Sequence, residues 1–233
     1  MRYRLAVFDF DGTLADSYPW FLGRLSQLAD QHRFRRVEEH EVEALRGKSA
    51  RQVIEELGVP LWKLPQIARQ VRREMALEID AIRLFPGVDQ VLRELARQGV
   101  ELAVVTSSSL DNVRRILGPE TAALIRHYAC GVALFGKGPK LRKILRASGV
   151  PAAEAIAIGD EIRDLEAARA EGIAFGAVAW GYTRPEALRA QGPEEMFAGP
   201  EEILARLGRD GRLAGGLALG EPKRGHDDGL GPR

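Results

Sequence analysis

The sequence predicts an α/β protein: a doubly wound parallel sheet with a small all-helical unit inserted after the first strand. Three observations carry this. Short apolar runs stop abruptly at acidic or hydroxyl-rich turns, as in Leu5-Ala6-Val7-Phe8-Asp9 and Ile156-Ala157-Ile158-Gly159-Asp160. From Phe85-Pro86-Gly87 onward such runs alternate with helical segments, the order that builds parallel βαβ units. Between the first run and that repeat, residues 15–80 carry helical spacing and no convincing strand.

The elements follow in order. Residues 4–9 read as a short buried strand, stopped by the turn Asp11-Gly12-Thr13. Leu22, Leu25 and Leu28, then Val53, Ile54 and Leu57, then Ile67, Val71, Met75 and Ile79 have helical spacing, enough for about four helices. A helix over about 88–98 precedes the strand Leu102-Ala103-Val104-Val105. A helix over 110–117 and a short strand near 127–133 come next. A helix begins about Pro139, a residue suited to a first turn because it needs no donor there. Strand 155–159, helix 162–171, strand 173–179, helix 184–190 and a last helix near 200–207 complete the repeat. Residues 209–233, rich in Gly, Pro and charge, read as a disordered tail.

Bulk composition excludes several classes. The 233 residues carry a net charge of +1, so no global field draws the chain to nucleic acid or to an anionic membrane. No apolar run approaches a membrane span, and Met1-Arg2-Tyr3-Arg4 leads straight into the first strand without a signal segment. The lone cysteine, Cys130, permits no internal disulfide and sits in an apolar stretch as a small hydrophobe. The cytoplasm is the expected location.

Four segments carry the chemistry. In open parallel sheets, sites form beyond the carboxyl ends of the strands. Asp9 and Asp11 of Asp9-Phe10-Asp11-Gly12-Thr13 lie at that end of the first strand. A D-x-D-G-T pattern arises by chance in roughly one such sequence in seven hundred, and a turn or cap would need only one aspartate. Asp160 ends a second apolar strand, and Asp164 lies four residues on, on the same helix face. Two strand ends thus supply the hard oxygen ligands that Mg²⁺ requires. Thr106-Ser107-Ser108-Ser109 ends a third strand in hydroxyls and backbone N–H groups suited to phosphate oxygens. The fourth segment is basic: of only six lysines, Lys137, Lys140 and Lys143 fall within seven positions. Lys137 precedes the helix and is favoured over Lys140 as the cation at the strand ends, while Lys143 faces solvent.

These segments, over residues 4–208, resemble the haloacid dehalogenase (HAD) superfamily. Asp9-Phe10-Asp11-Gly12-Thr13-Leu14 matches its first motif, Thr106 the second, Lys137 the third and Gly159-Asp160-x-x-x-Asp164 the fourth. The third motif departs from many relatives, which follow the lysine with Pro where this chain has Gly138. The helical insertion resembles the family's type-1 cap. Ala179-Trp180-Gly181-Tyr182 is similar to the phosphoglycolate-phosphatase branch. The resemblance implies an HAD-like core over 1–14 and 82–208 and a cap over 15–81. It implies that Asp9 attacks phosphorus and that Asp11 serves as acid and then base. Mg²⁺ would be held by Asp9, the Asp11 carbonyl and Asp160, supported by Asp164. Gly12, Thr106, Ser107 and Lys137 would contact the phosphoryl group. The basic turn with Lys48 and Arg51 faces the site and would meet the remote part of the substrate.

The expected function is a Mg²⁺-dependent phosphatase of a small-molecule phosphomonoester, with 2-phosphoglycolate as a candidate, working as a monomer or homodimer. A phosphomutase of the β-phosphoglucomutase type keeps the same chemistry. A phospho-receiver also uses Asp, Mg²⁺, Thr and Lys, but has no long helical insertion. A phosphate loop at Gly131–Lys137 has Gly138 where Mg²⁺ needs a hydroxyl, and leaves Asp9 and Asp11 unexplained.

Overall fold

The computed structural model describes residues 2–131 and 136–208. The first strand, β1 (Leu5–Phe8), is followed by α1 (Tyr18–His32), α2 (Val42–Leu45), α3 (Ala50–Glu56) and α4 (Leu64–Leu77), joined by 3₁₀ turns. Then come α5 (Val88–Arg97), β2 (Glu101–Val105), α6 (Leu110–Leu124) and β3 (Ile125–Ala129). The chain ends in α7 (Lys137–Ser148), β4 (Ala155–Gly159), α8 (Ile162–Ala170), β5 (Ala174–Val178), α9 (Pro185–Ala190), β6 (Glu195–Phe197) and α10 (Pro200–Leu207).

The six strands form one parallel sheet in the order β3-β2-β1-β4-β5-β6. Alternation along each strand feeds two cores. Ala6, Phe8, Val104 and Ile158 face α5, α6 and α10 through Leu92, Leu95, Val113 and Ile203. Leu5, Val7, Val105 and Ala157 face α7, α8 and α9 through Leu141, Ile144, Leu165 and Leu188. Both faces are covered, which is why these strands read as unbroken apolar runs. The chain leaves β1 for β2 on one side and β4 lies on the other, so the crevice where strand order reverses opens beside Asp9.

Several expected boundaries move. The strand near 127–133 is β3, Ile125–Ala129, and its expected continuation over 132–135 lies outside the described residues. The helix expected from Pro139 begins at Lys137. Helix 110–117 is followed by a second helical stretch, because Gly118 takes φ 71° and Pro119 opens a new turn. β6 was not foreseen: three residues at the sheet edge carry too little pattern. The tail over 209–233 lies outside the described residues. Among the described residues no helix is long and apolar enough to cross a membrane.

Candidate active site

Each site residue sits where a strand stops. Asp9 follows β1, and its N–H donates to the Ile158 carbonyl at 2.8 Å, which fixes the strand end. The chain then turns tightly: the N–H groups of Leu14 and Ala15 both reach the Phe10 carbonyl at 2.9 Å. Gly12 takes φ 78°, and a Cβ there would collide with Asp160 Oδ2 and the Tyr182 ring. Glycine is therefore required at this close approach.

Asp9, Asp160 and Asp164 are buried and offer carboxylate oxygens that lie within 4.8 Å of one another. Lys137 Nζ reaches Asp9 Oδ2 and Asp164 Oδ1, each at 2.6 Å. The lysine is itself buried, whereas Lys140 and Lys143 are exposed. Asp160 Oδ1 accepts from Thr13 Oγ1 at 2.7 Å and Asp160 Oδ2 from the Tyr182 N–H at 2.8 Å. Asp164 Oδ2 also caps α8 by accepting from the Glu161 N–H at 3.3 Å.

Asp11 points elsewhere. Its Oδ2 accepts from Ser108 Oγ at 2.7 Å and Thr106 Oγ1 at 3.4 Å. Its Oδ1 is buried with no hydrogen-bond partner among the described residues. The third carboxylate beside Asp9 and Asp160 is thus that of Asp164, not Asp11. Ser108, rather than Ser107, reaches Asp11; the Ser107 carbonyl instead accepts from Arg72 at 3.2 Å.

The electrostatics follow from burial. Desolvation pushes the Asp9 carboxyl up to about 7, against the pull of Lys137. Burial, with Glu161, Asp9 and Asp164 nearby, drives Asp160 well above the usual carboxylate range. Burial also opposes charge on Asp164, but Lys137 and Arg163 outweigh it and hold this carboxyl low. Asp11 is raised by burial, partly offset by hydrogen bonds from Ser108, Ser17 and Thr106. Lys137 stays protonated because Asp164 and Asp9 outweigh its own burial. Asp9, Asp160, Glu161 and Asp164 therefore crowd around two cations, Lys137 and Arg163. Such an excess of hard oxygen donors suits a divalent cation of the Mg²⁺ kind.

Lys48 and Arg51 both line a large cavity that runs from Asp11 into the helices between β1 and α5. Lys48 is paired with Glu56 there. Nearby, Arg46 donates to the carbonyls of Tyr182 at 3.0 Å and Gly181 at 2.9 Å. Sequence reasoning did not single out Thr13, Ser108 or Arg46. It met Tyr182 only as part of a family resemblance.

A family model described as haloacid dehalogenase-like hydrolase matches residues 6–178. The chain belongs to this family. A phosphoglycolate phosphatase of Synechococcus elongatus is 29% identical over 199 residues, which is 85% of this chain and 94% of that protein. An N-acetylmuramic acid 6-phosphate phosphatase of Pseudomonas aeruginosa is 27% identical over 221 residues, 90% of this chain and 96% of that one. Among solved structures, a haloacid dehalogenase-like hydrolase from Streptococcus pneumoniae superposes with a TM-score of 0.71 at 19% identity, covering 88% of this chain and 98% of its own. CbbY from Rhodobacter sphaeroides, solved with phosphate, gives 0.65 at 23% identity, covering 86% and 96%. The expected α/β fold and the likeness to the phosphoglycolate-phosphatase branch are both borne out.

Proposed function

We propose that this HAD-like hydrolase is a phosphatase that cleaves a small-molecule phosphomonoester, with Asp9 as its nucleophile. The observation that carries the reading is the position of Asp9. It lies at the open end of β1, beside Asp160 and Asp164, with Lys137 on its Oδ2. The curated relatives that are phosphatases support it.

Asp9 attacks phosphorus, and the bond from phosphorus to the alcohol oxygen breaks. Asp11 gives its proton to that oxygen, a role favoured by the burial that raises its pKa. Asp11, now ionised, takes a proton from the water that attacks the aspartyl phosphate. Inorganic phosphate leaves and Asp9 is restored. Lys137 and Thr106 hold the phosphoryl oxygens, with the backbone around Gly12 and Ser107 closing over them. Asp9, Asp160 and the Asp11 carbonyl would hold Mg²⁺, supported by Asp164. When bound, it supplies charge neutralisation that lets a carboxylate approach a phosphate dianion. Residues 15–81 serve as a cap over a core of 1–14 and 82–208.

The test is release of inorganic phosphate from 2-phosphoglycolate and p-nitrophenyl phosphate. The wild type should require Mg²⁺, and Asp9→Asn should lose turnover entirely. Undiminished turnover in Asp9→Asn refutes the nucleophile. Isomerisation of sugar phosphates without phosphate release would make the protein a mutase.

A further inference from the structure

The cavity above Asp11 has a volume of about 1370 Å³. Its walls are the inner faces of α1, α3 and α4. Leu22 and Leu25 of α1, Val53 and Ile54 of α3, and Ile67 and Val71 of α4 line it. These six side chains are only half-buried and belong to neither hydrophobic core. They form an apolar lining that packing among the described residues does not cover.

Two further observations say what should cover it. The same cavity reaches Asp11, Ser107, Ser108 and Tyr182, so an occupant is continuous with the reacting centre. On the proposed mechanism, the group next to Asp11 is the leaving alcohol. Four of the six cations on the wall are committed elsewhere: Lys48 pairs with Glu56, Arg163 pairs with Glu161, Arg46 binds the Gly181 and Tyr182 carbonyls, and Arg72 binds the Ser107 carbonyl. A small anionic alcohol such as glycolate would place its carboxylate against hydrocarbon and leave most of the space to water, an arrangement that costs free energy. Pockets for drug-sized ligands typically run to about 300–1,000 Å³, so this one has room for a much larger group.

We infer that the enzyme's substrate is a phosphomonoester of a bulky hydrophobic alcohol, an alkyl or ring-bearing group of about ten carbons, seated among α1, α3 and α4. This rests on the phosphatase reading and specifies its leaving group. The reaction stays balanced: the alcohol departs carrying the Asp11 proton, and water supplies the oxygen and proton that regenerate Asp9 and Asp11.

The experiment is a homologous series of n-alkyl phosphates, ethyl to decyl, each below its critical micelle concentration. kcat/KM is compared with that for 2-phosphoglycolate on the full chain with Mg²⁺. Burial of each added methylene should raise kcat/KM about three- to fourfold until the cavity is filled. The matching n-alkylphosphonates should inhibit competitively with the same slope, which reads binding apart from turnover. Leu25→Glu should flatten the series, and Ile54→Trp should stop its rise at a shorter chain. A flat or falling series alongside ready turnover of 2-phosphoglycolate overturns this inference and leaves the phosphatase reading intact. No turnover of any ester sinks both. A flat series in a protein that is dimeric in solution, with Leu25→Glu monomeric, would assign the groove to a second copy and likewise overturn the inference.

Discussion

Lys137 Nζ stands 2.6 Å from Asp164 Oδ1, and both groups are buried at the start of their helices, α7 and α8. The same ammonium touches Asp9. One cation thus joins Asp9 to the acid beyond it. Replacing it with a neutral chain of similar length strands two carboxylates in a dry site. Lys137→Met should cost about 3–5 kcal/mol, the usual penalty for breaking a buried pair. Urea unfolding measures this, and phosphate release should fall at least about a hundredfold. A stability near that of the wild type would show that solvent reaches the pair.

The raised carboxyls make metal-free stability depend on pH. Burial pushes Asp9 up to about 7 in the fold against 3.8 ordinarily, and it raises Asp160 as well. For acids shifted upward, the protonated form contributes stability that is complete below the ordinary value. It is lost as pH climbs through the folded one. In EDTA, Tm should therefore fall as pH rises from about 4 to 7, and added Mg²⁺ should recover most at the upper end. Asp160→Asn should raise Tm in EDTA at neutral pH and abolish the Mg²⁺ response. Thermal scans across this window decide it.

Ser108 donates to the Asp11 carboxylate and so lowers its pKa. Removing that donor favours the protonated acid. In Ser108→Ala the alkaline limb of the kcat/KM profile should move upward by about one pH unit, the equivalent of a hydrogen bond to a charged group. A downward move would remove Asp11 from the role of acid.

Gly12 lies against Asp160 and Tyr182 at a positive φ. Gly12→Ala should weaken the Mg²⁺ response in Tm and lower turnover by at least tenfold while the fold persists, because the added methyl displaces Asp160. Circular dichroism and phosphate release on the same sample check both halves.

The legible parts of this structure are those where one strand states its own environment. β1 and β4 announce themselves because strands buried on both faces must be apolar throughout, and an acid at their ends is then conspicuous. β3 reads Ile-Arg-His-Tyr-Ala at the sheet edge, and this mixed pattern slides easily in register. β6 has too few residues to show a period. Within the site, Asp9 and Asp160 could be placed from strand ends, and Lys137 from the clustering of lysines before a helix. The choice of Ser108 over Ser107 depends on how one loop turns, which no spacing rule states. Tyr182 holds Asp160 through its backbone N–H, a group that every non-proline residue carries, so its residue type gives no sign of the contact.

Arg46 grips the carbonyls of Gly181 and Tyr182, and the Tyr182 amide grips Asp160. A two-residue stretch of chain therefore serves as the latch for the helical insertion and as the mount for an acid at the strand end. Redesign of the insertion must therefore spare Arg46 as well as Arg72, since each ties a helix of the insertion to a loop beside the acidic cluster.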